Sequence, residues 1–303
     1  MQCFRMEVIV LRKNEKKKQI VIVAVLTIIC LLIVIPFLLV VSVSLSKEND
    51  IVLNGYRLIP EHFTIDAYKY VFSSAQMVID AYIVTFTFSI ITMFFGVLLM
   101  AMLSYALTRN FLRCKTLLVF LLYFTMLFSG GLVPTYILNT RVLHLDNTIL
   151  IYILPALINP WYVFMMRTFF QGLPNELSES AMIDGANEYT IFFRIVLPLS
   201  KPILATVALF IFLAKWNDWN TALLYIQNQK LISLQYLLQR IMENIALVQN
   251  MNMGTLTYTN AIDIPSETVR MAMAIVVAGP ALFVFPFFQK YFVKGLTVGS
   301  VKG

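Results

Sequence analysis

The residues best suited to bind a small ligand stand together near position 215. The stretch FLAKWNDWN, residues 212–220, holds a lysine and an aspartate three positions apart, two tryptophans and two asparagines. Side chains three apart share one face of a helix, so the two charges can pair. Tryptophan rings stack on the C–H faces of a sugar, while amides and a carboxylate bond its hydroxyl groups. The candidate substrate-pathway residues of this stretch are Lys215, Trp216, Asn217, Asp218, Trp219 and Asn220.

A second candidate for residues that line the path of a small ligand through the protein lies in another apolar segment. Asn159 and Pro160 fall at its centre, and Pro155 precedes them. Prolines bend a helix and free backbone carbonyls, so this part either lines a cavity or is a kinked packing helix. The same two readings apply to Gly130, Gly131 and Pro134 in another apolar segment, where small residues also allow close helix packing. A structural alternative also stands beside the first stretch. Its lysine and aspartate could simply close a helix bundle, with the tryptophans in an aromatic belt at the outer membrane face.

Residues 177–200, LSESAMIDGANEYTIFFRIVLPLS, interrupt the apolar sequence with charged side chains. The stretch is too polar to cross a bilayer, but it carries the signals of two helices. Pro174 suits a helix start, Gly185 can adopt the left-handed conformation that ends a helix, and Asn187 can begin the next one. Pro198 should break or kink the second helix. We predict a short surface helix, a glycine turn and a second helix; periodicity alone equally allows a helix resting on lipid headgroups.

No group of side chains in the sequence has the spacing of a catalytic or metal site. The chain has two histidines, His62 and His144, and three scattered cysteines, Cys3, Cys30 and Cys114. This pattern favours reduced thiols and argues against a zinc site, a disulfide or a nucleophile–base pair. The ATP-binding pattern GxxxxGK[ST] is also absent from the sequence. We therefore expect no enzymatic activity, no bound metal and no cofactor in this chain.

The composition is that of a membrane protein. Hydrophobic residues make up 59% of the 303 positions and charged residues only 13%, whereas soluble domains have about 25% charged residues. Six apolar segments reach the ~20 residues that a helix needs to cross a bilayer. An all-α, polytopic fold with six transmembrane helices follows, with both termini on one side. The predicted spans lie near 20–45, 80–108, 116–137, 148–170, 203–224 and 271–293.

Basic residues set the predicted orientation. Six of the 23 lysines and arginines fall within the first 18 residues, and the link 109–115 carries three more. By the positive-inside rule these regions are cytoplasmic, which also accounts for the net charge of +7 without a nucleic-acid partner. The first apolar run, of about 25 residues, exceeds the core of a cleaved signal peptide and is taken as a retained helix. The predicted parts are a cytoplasmic N-tail 1–19, a six-helix domain 20–293 with a cytoplasmic loop 171–202, a solvated external loop 225–270, and a cytoplasmic C-tail 294–303.

The loop 171–202 carries a recognisable spacing. Glu179-Ser180-Ala181, Gly185, Ile195 and Leu197-Pro198 resemble the EAA signature of binding-protein-dependent ABC importer permeases, with a serine in place of the signature's second residue, alanine. Nearly the whole chain is similar to the carbohydrate-uptake branch, and within it to permeases of the aldouronate and complex-oligosaccharide type. The stretches that carry the likeness are LSYALTR (103–109), FTMLFSGGLVPTYIL (124–138), MRTFFQGLPNELSESAMIDGA (166–186), FFRIVLPLSKPILAT (192–206) and FPFFQKYFVKGLTVGSVKG (285–303).

The resemblance implies a type I importer permease fold in a bacterial cell membrane, with both termini cytoplasmic. It also implies partners: a second homologous permease, a dimer of cytoplasmic ABC ATPases that binds ATP and Mg, and an extracellular or lipid-anchored solute-binding protein that delivers an oligosaccharide. The loop would be a coupling helix seated in a groove of the ATPase. The ATPase-coupling residues so implied are Glu179, Ser180, Ala181, Asp184, Gly185, Ile195, Leu197 and Pro198. A weakly basic C-tail would add a second ATPase contact through Lys294, Gly295 and Lys302, unless it is a free terminus.

Other functions can be weighed against this one. A secondary transporter would need its own coupling-ion site and usually an internal repeat, and neither is found in the sequence. A non-sugar cargo, such as an amino acid or a peptide, would fit the same architecture. In this family the partner permease often makes most of the substrate contacts, so the resemblance assigns no ligand residue to this chain.

Overall fold

The structure is a computed structural model that describes residues 2–109, 112–254 and 266–299. In these ranges the regular elements are helical, apart from an isolated antiparallel bridge between Ser46 and Phe63. The α-helices are α1 Gln2–Ser44, α2 Glu48–Asn54, α3 Asp66–Val71, α4 Ala75–Ala106, α5 Lys115–Leu127, α6 Leu132–Ile137, α7 Leu150–Ile153, α8 Pro160–Gln171, α9 Asn175–Ile183, α10 Glu188–Ile191, α11 Leu197–Leu199, α12 Lys201–Trp216, α13 Asn220–Tyr225, α14 Leu234–Gly254 and α15 Ser266–Gly299. Short 3₁₀ turns span Phe72–Ser74, Leu154–Ala156 and Gln229–Leu231, and π-helical turns span Leu138–Val142 and Phe192–Val196.

The chain divides into two compact units, and the first consists of Met1–Ser73 with Leu256–Ile275. In this unit every residue from 18 to 38 of α1 is exposed, as expected for an apolar helix whose surroundings are lipid or another subunit. The end of α1 is fixed by polar contacts, among them a 2.9 Å hydrogen bond between the hydroxyl groups of Ser44 and Tyr68.

The first turn of α15 also belongs to the first unit and is capped from a distance in sequence. The carboxylate of Glu48 accepts hydrogen bonds from the backbone N–H groups of Glu267 and Thr268, both at 2.9 Å. It accepts a third from the Thr268 hydroxyl at 2.7 Å. These N–H groups have no partner within the helix, and a carboxylate is favoured at the positive end of a helix dipole. Glu48 therefore fixes the start of α15.

The second unit, Ser74–Thr255 with Val276–Gly303, is built around α4. This helix packs mainly against α12 and α8. The approach is close at Gly96, where a Cβ atom would lie 3.4 Å from the carbonyl oxygen of Leu157 and 3.8 Å from the Ile211 side chain. Nearer the end of α4, the buried Ser104 hydroxyl donates to the carbonyl oxygen of Val163 in α8 at 2.9 Å. Small residues thus let α4 serve as the central helix of this unit.

Three helical stretches are individually long and apolar enough to cross a membrane: Lys18–Ser44, Ala75–Ala106 and Glu267–Val284. Three helix pairs reach that length only when both members are counted, and each pair is bent. The described chain therefore has three to six candidate spans by length and composition, where the sequence predicted six. The bent pairs are Lys115–Leu127 with Leu132–Val142 (116°), Leu150–Ala156 with Pro160–Gln171 (46°), and Glu188–Leu199 with Lys201–Trp216 (79°).

The bends correct the predicted helix boundaries. The predicted span 116–137 is not one straight helix, because it breaks between α5 and α6 at Gly131, whose φ of 87° is left-handed. In the predicted span 148–170, the chain bends before α8 at Asn159 and Pro160, and a bend at these residues was predicted. The amide oxygen of Asn159 accepts from the N–H of Trp161 at 3.0 Å, which gives α8 its own cap.

Two further expectations are wrong. The predicted span 203–224 is not one helix, because α12 ends at Trp216 and a separate helix, α13, begins at Asn220, where the Asp218 carboxylate accepts from the N–H of Thr221. The prediction of a solvated loop at 225–270 missed α14, a helix of 21 residues. Leu234, Leu237 and Leu238 of α14 are buried, and this apolar spacing of three and four residues is what stabilises a helix against its neighbours.

Candidate functional site

The helix α9 ends in a Schellman motif. The N–H of Ala186 donates to the carbonyl oxygen of Ala181 at 2.9 Å, and the N–H of Gly185 donates to that of Met182 at 3.0 Å. Gly185 has a φ of 81°, in the left-handed region that the motif requires. The predicted glycine stop is therefore confirmed. A Cβ atom at Gly185 would meet nothing within 4 Å, so the demand for glycine comes from its backbone conformation.

A second helix starts at the predicted residue, Asn187. Its amide oxygen accepts from the N–H and from the hydroxyl of Thr190, both at 2.8 Å, and so caps α10. The predicted break at Pro198 is wrong by two residues, because helical structure continues to Leu199 and the chain turns at Ser200. Pro198 lies in the last turn of the continuous helical stretch Glu188–Leu199, which ends one residue later.

The outward face of α9 exposes both apolar and acidic side chains. Ile183 is 87% exposed, and Leu177 and Met182 are each 44% exposed. The predicted residues Glu179, Ser180, Asp184 and Gly185 are exposed as well. In the part of the chain that the structure describes, Glu179 has no hydrogen bond or ion pair through its side chain. Ile183 was not predicted from the sequence. The local signal for it is an isoleucine between a methionine and an aspartate, in a loop expected to be exposed to water.

The inward face of α9 attaches the helix to the core of the second unit. Ser178 is buried, and Ala181 and Ala186 are partly buried against a cluster that includes Tyr105 and Phe192. The remaining predicted coupling residues, Ile195, Leu197 and Pro198, do not lie on α9. They belong to the helical stretch that leads into α12. Leu197 packs on the same cluster and Ile195 is half-buried, whereas Pro198 is exposed. The structure thus separates the predicted set into an exposed group and a packed group.

The polar stretch 215–220 forms the break between α12 and α13. Lys215 and Asp218 form the predicted ion pair, with Nζ and Oδ2 2.7 Å apart and side chains only 15% and 12% exposed. The Asp218 carboxylate also accepts from the N–H and the hydroxyl of Thr221, at 3.0 and 2.8 Å. The two charges therefore neutralise each other, and the Asp218 oxygens already accept hydrogen bonds from within the protein.

The other candidate pathway residues differ in accessibility. Trp216 is 2% exposed, and its indole N–H donates to the carbonyl oxygen of Val277 at 3.0 Å, so its ring is part of the core in this conformation. Trp219 is 40% exposed, and Asn217, Asn220 and Asn159 are exposed. The structure brings Lys215 and Asp218 together and leaves the exposed residues of 217–220 beside them.

The remaining predicted features are placed as follows. Among the residues that the structure describes, no three His, Cys, Asp or Glu side chains are grouped closely enough to hold a metal ion. Cys30 and Cys114 are free and exposed. In the C-tail, Lys294 and Gly295 fall within the helical backbone of α15, and Lys302 lies outside the described residues.

Comparison with known proteins gives several long matches. The chain is 37% identical over 270 residues to the polygalacturonan/rhamnogalacturonan transport system permease protein YtcP of Bacillus subtilis, covering 89% of this chain and 92% of that protein. It is 32% identical over 276 residues to the arabinooligosaccharides transport system permease protein AraQ of Halalkalibacterium halodurans, covering 88% and 91%. Its structure matches a chain in the crystal structure of a bacterial ABC transporter involved in the import of the acidic polysaccharide alginate, with a TM-score of 0.78, 26% identity and coverage of 92% and 98%. No family model matches the chain.

Proposed function

Because the chain belongs to the carbohydrate permeases of ABC importers, we propose that it imports an oligosaccharide through the motion of its loop 171–202 on a separate ATPase. Members of this family are multi-pass proteins of the bacterial inner membrane, with no catalytic activity or cofactor of their own. The cargo class follows from the relatives, whose names specify polygalacturonan, rhamnogalacturonan and arabinooligosaccharides. A non-sugar cargo has no such support.

The orientation proposed for the chain has both termini and the loop 171–202 in the cytoplasm. Two of the bent pairs then count as one span each, and the third crosses with Lys201–Trp216 alone while Glu188–Leu199 stays in the cytoplasmic loop, which gives six spans. The basic N-tail and the link 109–115 support this orientation, because lysine and arginine are retained on the cytoplasmic side.

The observation that carries the coupling role is the exposed face of α9. An isoleucine that is 87% exposed, beside an acidic residue that the described chain leaves unpaired, is better suited to a protein partner than to water. A groove on the ATPase would cover Ile183 and Leu177 and offer basic groups to Glu179. The Schellman motif fixes the angle between this face and α10. A displacement of α9 would therefore move α10 with it.

The proposed cycle is alternating access by rigid-body motion. Two ATPase subunits close when they bind ATP and Mg, and they carry α9 of this chain and the matching helix of a second permease with them. The motion passes through α10 to the packed helices α4, α8 and α12 and opens the pathway to the other side. The C-tail residues Lys294, Gly295 and Lys302 provide the second proposed ATPase contact.

For the pathway, the exposed polar residues are the ones available to a sugar. Trp219 offers a ring face, and Asn217, Asn220 and Asn159 offer amides. Lys215 and Asp218 form the ion pair at the break between α12 and α13, and Trp216 is buried behind it. These three residues would hold the exposed ones in position. An oligosaccharide would reach these residues from an extracellular solute-binding protein.

Purification of the tagged chain from its native membranes tests the proposal. We expect this chain, a second permease and the ATPase to purify together in a ratio of one to one to two. ATP hydrolysis should rise when binding protein loaded with oligosaccharide is added. A chain that purifies alone and moves sugar with an ion gradient would contradict the proposal.

A further inference from the structure

A charged cluster joins the start of α10 to the end of α4. Arg109 lies three residues beyond the last residue of α4, and Glu188 is the first residue of α10. The Nε atom of Arg109 and the Oε2 atom of Glu188 are 3.3 Å apart, and the two side chains are 17% and 36% exposed. The pair therefore links two segments that are 79 positions apart in sequence.

Tyr105 lies at the centre of this cluster. Its hydroxyl accepts a hydrogen bond from Nη2 of Arg109 at 2.7 Å and donates one to Oε2 of Glu188. The guanidinium carbon of Arg109 lies 4.7 Å from the centre of the Tyr105 ring, and the ring packs on Phe192 at 5.2 Å. Tyr105 is only 7% exposed. One buried tyrosine therefore contacts both charges and the helical turn that follows α10.

Helix dipoles favour each charge at its position. The carbonyl end of α4 attracts the positive Arg109, and the amide end of α10 attracts the negative Glu188. Two cavities flank the cluster, one of about 390 Å³ lined by Met102 and Tyr189 and one of about 190 Å³ lined by Thr108 and Ser178. The charged cluster therefore supplies the polar connection between α10 and the end of α4, next to the apolar packing of Ile191 and Phe192 in the same core.

From this geometry we infer that Arg109, Tyr105 and Glu188 are positioning residues that make α4 follow α10. The inference rests on the proposed function, because it concerns the motion that α9 receives from an ATPase. The Schellman motif ties α9 to α10, the cluster ties α10 to α4, and α4 packs on α8 and α12. Without the cluster, α10 would shift into the flanking cavities, and the ATPase would turn over without opening the pathway.

A charge-swap experiment tests the inference. The intact complex, reconstituted in vesicles, is assayed for oligosaccharide uptake and ATP hydrolysis, each normalised to the amount of assembled complex. Arg109→Glu and Glu188→Arg should each lower the uptake per ATP hydrolysed by about tenfold or more, the size of a typical coupling between sites. The double variant should recover to within about threefold of wild type, because the pair re-forms but both charges then oppose the helix dipoles.

Two further variants complete the test. Arg113→Glu changes the charge of an exposed arginine in the same link and should leave uptake per ATP unchanged. Tyr105→Phe keeps the ring that packs on Phe192 but removes the shared hydroxyl, so it should lower uptake per ATP by about threefold to tenfold. If the charge-reversed single variants fail to assemble, Tyr105→Phe decides the matter.

The inference is overturned if the single variants match wild type, if the double variant is no better than either single, or if Tyr105→Phe is fully coupled. The proposed function has a separate readout. If the wild-type chain does not associate with an ATPase, the proposed function fails; if it does and the cluster variants remain coupled, only the positioning role fails.

Discussion

The N–H of Ala186 reaches back to the carbonyl oxygen of Ala181 at 2.9 Å, and this bond depends on the left-handed conformation of Gly185 between them. Left-handed backbone costs about 1–2 kcal/mol in a residue with a Cβ atom, and less in asparagine. Gly185→Val should therefore distort the end of α9 and abolish uptake, while the chain still inserts in the membrane. Gly185→Asn should retain most of the uptake, because a Cβ atom there has no neighbour within 4 Å. Equal loss in both variants would show that the backbone conformation is not the reason for glycine.

Ile183 provides a test of whether the exposed face of α9 binds the ATPase. Ile183→Asp should weaken binding of the ATPase by about tenfold or more, as expected for an apolar anchor of an interface. Folding should be unaffected, because the side chain is 87% exposed. The matched control is Leu53→Asp, at a residue that is 80% exposed in α2 on the proposed external side. Pull-down of the ATPase from detergent-solubilised membranes gives the measurement; similar binding by both variants would exclude α9 as the main contact.

Glu179 should matter through its charge. Glu179→Lys is expected to abolish uptake with normal membrane insertion, since the carboxylate bonds to nothing else in the described chain and its reversal would repel basic groups of the ATPase. Glu243→Lys reverses another exposed acid, on α14, and should transport normally. Uptake assays in cells, with membrane levels checked by immunoblot, compare the two. Wild-type uptake in Glu179→Lys would count against the coupling role.

Lys215 and Asp218 should be needed for stability as a pair. Asp218→Asn leaves the mostly buried lysine without its counter-charge, which costs about 3–5 kcal/mol for a buried pair. The double variant Lys215→Met with Asp218→Asn removes both charges and should recover most of this loss. Thermal unfolding in detergent measures it. If Asp218→Asn alone unfolds like wild type, the pair does not hold the break between α12 and α13.

Glu48 should stabilise the start of α15. Glu48→Ala removes the acceptor of two backbone N–H groups and should lower the stability by about 1–2 kcal/mol, as for the loss of an N-cap. Glu48→Gln keeps one acceptor oxygen and should lose less. The melting temperatures of the purified variants should therefore follow the order wild type, Glu48→Gln, Glu48→Ala. The assignment fails if the alanine variant melts with wild type.

Local signals in the sequence predicted much of this structure. The glycine stop at 185, the cap at Asn187 and the bend at Asn159-Pro160 depend on residues close together in the chain, so spacing and residue type suffice to find them. Gly130 and Gly131, which the sequence marked as a possible kink, lie at the break between α5 and α6. The break after Trp216 was missed, because the spacing of Lys215 and Asp218 fits one continuous helix equally well.

The features that the sequence did not reveal are contacts between distant segments. Arg109 was read as a basic residue that sets the orientation and as part of the stretch LSYALTR, and its ion pair with Glu188 needs the fold that brings α4 to α10. The cap that Glu48 provides for α15 spans more than 200 positions and has no local pattern. Trp216 had the right chemistry to stack on a sugar, yet its burial depends on contacts with the distant residues Tyr82 and Val277.

The most direct measurement of the central claim uses a single cysteine at position 183. Cys3, Cys30 and Cys114 are first changed to serine, and Ile183→Cys is then treated with a membrane-impermeant maleimide. The account predicts no labelling in intact cells, labelling in inside-out vesicles, and protection when the ATPase is bound to those vesicles. Labelling of this cysteine from outside intact cells would place α9 on the wrong side of the membrane and contradict the account.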